Sequence, residues 1–80
     1  MQKNEKPWPE LSAPFHVENA SNGRRIGLQS HTLEQALQLA VDHETGRTHP
    51  ILRNKDGHII DPFDPRNIKA YGLHLPMKSA

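Results

Sequence analysis

From Thr32 to Val41 the sequence specifies one helix, with both its start and its buried face written into it. Thr32 followed by Gln35 forms a capping box, in which each side chain satisfies a backbone N–H that the first helical turn leaves without a partner. Leu33, Ala36, Leu37 and Ala40 then fall at i, i+3, i+4 and i+7, a single apolar stripe. Strand-like runs flank the helix on both sides, so a sheet is what the stripe has to bury itself against. The pattern predicts an α+β fold: a small β-β-α-β-β domain, with an antiparallel sheet and one helix packed on one face.

Two hairpins supply the strands. Phe15-His-Val-Glu-Asn and Arg25-Ile-Gly-Leu-Gln-Ser alternate apolar and polar residues around Asn22-Gly23, the pair best suited to a two-residue type I′ turn. That turn places Ser21 opposite Arg24, Val17 opposite Leu28 and Phe15 opposite Ser30. Phe15, Val17, Ile26 and Leu28 then share one face, while His16, Glu18, Arg25 and Gln29 share the other. Glu18 and Arg25 become diagonal neighbours, a weak surface ion pair. After the helix, Asp42 to His49 is a polar connection with Gly46 as a natural stop. Pro50-Ile-Leu-Arg-Asn and His58-Ile-Ile-Asp pair around Asn54–Gly57, a type I turn with Gly57 left-handed and a G1 bulge.

The rest of the chain divides around this core. Residues 1–13, with two prolines flanking Trp8, read as a flexible N-terminal arm; 14–61 form the core domain; 62–80 form an irregular C-terminal segment that packs on the core or stays apart as an arm. Asp61-Pro-Phe-Asp-Pro65 breaks regular structure, and Tyr71, Leu73 and Leu75 alternate as a weaker candidate for an added edge strand. With 80 residues, 34% hydrophobic and four aromatics, only a small core is available. The absence of cysteine removes disulfides and thiolate metal sites. No apolar run approaches a membrane span and the first residues lack a signal-peptide core, so a soluble, cytoplasmic protein is expected.

Chemistry-bearing patterns are sparse. The six histidines, His16, His31, His43, His49, His58 and His74, include no i, i+4 helical pair, so no metal site and no cofactor are expected. The serines form no nucleophile elbow and the glycines no phosphate loop; His58 beside Asp56 or Asp61 is an acid–base pairing of a kind any polar chain contains. A non-enzymatic role follows. Charge gives no nucleic-acid signature on the folded part: residues 14–61 carry five basic and six acidic side chains, whereas 62–80 carry three and one.

The informative departure is in the second hairpin. Ile51-Leu52 and Ile59-Ile60 are adjacent apolar pairs, and strand side chains alternate faces, so one of each pair points away from the helix. A sheet covered on one side does not need that. Expected covers are the C-terminal segment through Phe63, Tyr71 or Leu73, a second copy of the chain, or another protein. The reading is a non-catalytic protein-binding module (a small regulator, adaptor or inhibitor). Its contact set is Ile51, Leu52, Ile59 and Ile60, rimmed by Arg24, Arg25, Arg53 and Lys55 to steer an acidic partner. The alternative is a nucleic-acid-binding module that uses the hairpin-tip arginines and the basic C-terminal segment.

Overall fold

Six elements follow one another in residues 12–79, the part of the chain that the computed structural model describes. They are β1 (Phe15–Asn19), β2 (Arg25–Ser30), α1 (Leu33–His43), β3 (Pro50–Arg53), β4 (Ile59–Ile60) and α2 (Pro65–Tyr71). The strands form one antiparallel sheet in the order β2-β1-β3-β4, and α1 lies against β1, β2 and β3. The expected arm over residues 1–13 falls outside the described residues except for Ser12 and Ala13; the Ser12 carbonyl accepts from the Lys55 N–H at 3.2 Å.

The capping box forms as its residues require. Thr32 Oγ1 accepts from the Gln35 N–H at 3.1 Å, and Gln35 Oε1 accepts from the N–H of Thr32 at 3.3 Å and of His31 at 2.9 Å. The helix ends at His43, with Glu44 as the cap, ahead of Gly46. Its stripe buries Ala36, Leu37 and Ala40 with Phe15, Val17 and Leu52 of the two central strands, and Val41 is buried beside them in sequence. Ala36 and Ala40 are 0% exposed. Two methyl side chains four apart on one face let the helix backbone sit close to the sheet.

The first hairpin departs from the two-residue turn. Asn19 and Arg24 close the ladder, the Asn19 N–H donating to the Arg24 carbonyl at 2.8 Å, so the loop is Ala20 to Gly23. Side chains at both ends select it. Asn19 Oδ1 accepts from the Ser21 N–H and hydroxyl, and Asn22 Oδ1 accepts from the Arg24 N–H. Val17 therefore pairs with Ile26 instead of Leu28, while Phe15 still pairs with Ser30. Gly27, Leu28 and Gln29 are left opposite His16 alone, a bulge. Leu28, expected on the apolar face, is 88% exposed.

The second hairpin matches its expectation: Gly57 has φ +87°, its N–H donates to the Asn54 carbonyl, and Leu52 pairs with Ile60. The C-terminal segment does not stay irregular. Asp64 caps α2 by accepting from the Arg66 N–H, Pro65 opens the helix and Gly72 ends it. A seven-residue helix is too short to show a period, yet the Asp-Pro start and Gly stop were there to be read. Tyr71 closes α2 instead of starting an edge strand, and Leu73 enters the main core at 6% exposed. Beyond it, Gln38 and Asp42 of α1 bind the Met77 carbonyl and the Ser79 N–H.

Gly27 shows how tightly α1 is seated. Its φ is +68°, and a Cβ there would lie 2.9 Å from Leu39 Cδ2. Gly23 has φ +72° but nothing within 4 Å of the equivalent Cβ. Gly23→Ala should thus incur the backbone cost alone, about 1–2 kcal/mol. Gly27→Ala should lose more, because Leu39 must also move. Urea unfolding of both variants checks the order, and a Leu39→Ala background should bring the two losses level.

Candidate protein-binding face

The side of the sheet away from α1 is organised in two rungs. On one, Arg25 of β2 stands across from Glu18 of β1, which stands across from Ile51 of β3. On the other, His16 of β1 faces Arg53 of β3, which faces Ile59 of β4. Strand alternation places these residues opposite to Val17, Ile26, Leu52 and Ile60, which point toward α1.

At the centre is a bidentate ion pair. Arg53 Nε and Nη2 donate to the two Glu18 carboxylate oxygens at 2.8 and 3.0 Å, and Nη1 donates to the Gly57 carbonyl at 2.9 Å. The Glu18 side chain is 8% exposed and that of Arg53 34%. Arg53 holds the Glu18 carboxyl below its ordinary range, burial pushes it back up, and the positive charges of Arg53, Arg25 and His16 add to the lowering. The same pair raises the Arg53 guanidinium. Glu18 thus pairs with Arg53 and not, as the sequence suggested, with Arg25. Arg53 is better placed: the turn carbonyl of Gly57 already orients its guanidinium, and a planar fork matches a carboxylate.

The apolar pairs of the second hairpin separate by strand parity. Leu52 is 0% and Ile60 3% exposed, both in the core, so neither is available to a partner. Ile51 is partly buried and Ile59 is 50% exposed on the open face. Leu73 of the C-terminal segment lies in the core, and Phe63, Ile68, Tyr71 and Leu75 pack against it.

The expected cationic rim does not assemble. β1 and β3 run antiparallel, which puts the two hairpin turns at opposite ends of the sheet. Arg24 flanks one turn and Lys55 lies in the other, while Arg53 is neutralised by Glu18. Only Arg25, exposed, adds its charge to the face near the isoleucines. Nothing in the sequence announced the Glu18–Arg53 pair, because it depends on β1 and β3 being neighbours across 35 residues.

A second acid–base contact borders the face. His49 Nε2 lies 2.8 Å from Asp61 Oδ2, and the His49 ring meets Phe63 at 5.6 Å between centroids. The other Asp61 oxygen, Oδ1, accepts from the Phe63 N–H at 2.9 Å. His49 and Asp61 tie the start of β3 to the end of β4, and both are substantially exposed. Among the described residues no three His, Asp or Glu side chains converge as a metal site would require. Nor is any described helix long and apolar enough to cross a membrane. Comparison with known proteins leaves the reading to these residues, since no family model, curated protein or solved structure matches the chain.

The Glu18 carboxyl titrates lower in the folded chain than in the unfolded one, so its stabilisation is complete above the unfolded value. That stabilisation is lost as pH falls toward the depressed folded value. The unfolding midpoint of wild type should exceed that of Glu18→Gln at neutral pH, and the gap should narrow only on acidification below the ordinary glutamate range. Paired urea titrations across pH measure it.

Proposed function

We propose that the chain is a non-catalytic protein-binding module, a small regulator, adaptor or inhibitor, that meets its partner through the open face of the sheet. One observation carries the reading. Ile51 and Ile59 stand on the face of the sheet away from α1, and Ile59 is 50% exposed there while apolar residues of the C-terminal segment pack on the core. Full burial of an isoleucine is worth about 1.5–3 kcal/mol, so a partner that dries this pair gains directly. The neighbouring Glu18–Arg53 pair is already satisfied within the chain, so contact with it adds no new unpaired charge. A cysteine-free chain suits a reducing compartment, and the cytoplasm belongs to this reading.

The geometry offers less to the nucleic-acid alternative. Its basic residues are dispersed: Arg24 and Lys55 are at opposite ends, Arg53 and Arg66 are bonded to carboxylates, and Lys78 donates to the Glu44 carbonyl. The rungs of the open face carry no Phe, Tyr or Trp on which a base stacks.

Replacing Ile51 and Ile59 together with Thr keeps β-propensity and removes apolar area. The double variant should fold with an unfolding midpoint close to wild type, yet lose the protein that the tagged wild-type chain retains from the native cell. Retention of every partner together with a large loss of stability would place the pair in a second internal core and sink the proposal.

A further inference from the structure

Resting on the protein-binding reading, we infer that the open face takes an acidic segment, one with a carboxylate about 10 Å from a bulky apolar side chain. The face is electrically lopsided. Glu18 and Arg53 cancel at its centre, and the Asp61 carboxylate, in hydrogen-bond contact with His49, follows β4 at the opposite border of the sheet from Arg25. Arg25 remains, exposed, and among the described residues its side chain forms no hydrogen bond or salt bridge. His16 stands on the adjacent rung of the same half. The positive charge therefore lies on the β2–β1 half, and Ile51 and Ile59 on the β3–β4 half.

The spacing follows from the sheet. Arg25 and Ile51 sit on one rung with Glu18 between them, so two strand spacings separate them, about 10 Å. Two turns of a helix span about 10.5 Å, which lets one side chain reach Arg25 while another covers the isoleucines. A second copy of the chain fits less well. Four short strands offer roughly 300 Å² of face, against about 800 Å² per partner in a stable interface. A second copy would also bring its own exposed Arg25 in place of a carboxylate.

The test uses the full chain and three synthetic helical peptides. Each carries Leu and, two turns away, Glu, Gln or Lys; binding is followed by amide chemical-shift changes. The Glu peptide should bind roughly tenfold more tightly than the Lys peptide at low salt, and added salt should shrink the ratio, as for any exposed charge pair. The shifts should centre on His16, Glu18, Arg25, Ile51 and Ile59. Arg25→Gln should erase the ranking while leaving Leu-dependent binding in place, and Ile51→Thr with Ile59→Thr should abolish binding of all three.

Equal binding of Glu and Lys peptides, a ranking that survives Arg25→Gln, or no binding at all overturns the acidic partner. The first two leave the binding face itself standing if the isoleucine variant still loses affinity. Undiminished binding by that variant overturns the protein-binding reading instead. Two further results reassign the occupant and overturn the proposal. Self-association of the chain without peptide assigns the face to a second copy. A shift in Trp8 emission on replacing the isoleucines, again without peptide, assigns it to residues 1–11.

Discussion

The close seating of α1 on β1 and β3 is the contact on which the rest of the molecule depends. Ala36 and Ala40, fully buried, bring the helix backbone down to the sheet, and Leu37 fills the space among Phe15, Val17 and Leu52. An apolar core this small has no reserve. It recruits Leu73 from beyond α2, with Phe63, Ile68, Tyr71 and Leu75 closing its margin. Those residues are then committed to the core. The side of the sheet away from α1 carries short polar rungs and two isoleucines.

That division explains why Glu18 is buried in a protein with few buried polar groups. It sits on a central strand, flanked by Arg25 and Ile51 on the neighbouring strands, where a lone carboxylate would be costly. Arg53 meets both its oxygens and is itself held by the turn carbonyl of Gly57. The pair links β1 to the β3–β4 turn on the wet side of the sheet, while Val17 and Leu52 link the same strands on the dry side. Stability and surface character are thus set by the same two strands.

Much of this could be read from the residues themselves, for reasons that are local. The capping box, the Ala/Leu stripe and the Asn54–Gly57 turn involve neighbours in sequence, and their physics does not wait for the fold. The first turn misled because Asn19 and Asn22 each bond backbone two residues on, an option that competes with the type I′ turn. Ile51-Leu52 and Ile59-Ile60 stood out in the sequence as adjacent apolar pairs, and parity alone left open which of each pair faced outward. What lay beyond reach was everything that depends on strand order. The placement of β1 beside β3 joins Glu18 to Arg53, sends the two hairpin turns to opposite ends and so dissolves the rim of four cations. The α2 helix was missed for a different reason: its end signals were present without a period between them.

The bulge at Gly27 to Gln29 has a meaning for how this sheet meets other sheets. An edge strand with regular, unpaired N–H and C=O groups is a template on which further strands polymerise. Here β2 is interrupted in its middle by three residues standing opposite one, and the far edge, β4, is only two residues long. Neither border presents a run of hydrogen-bonding groups long enough for a foreign strand to register against. Among the described residues, both borders of the sheet disfavour its edge-on growth into fibrils.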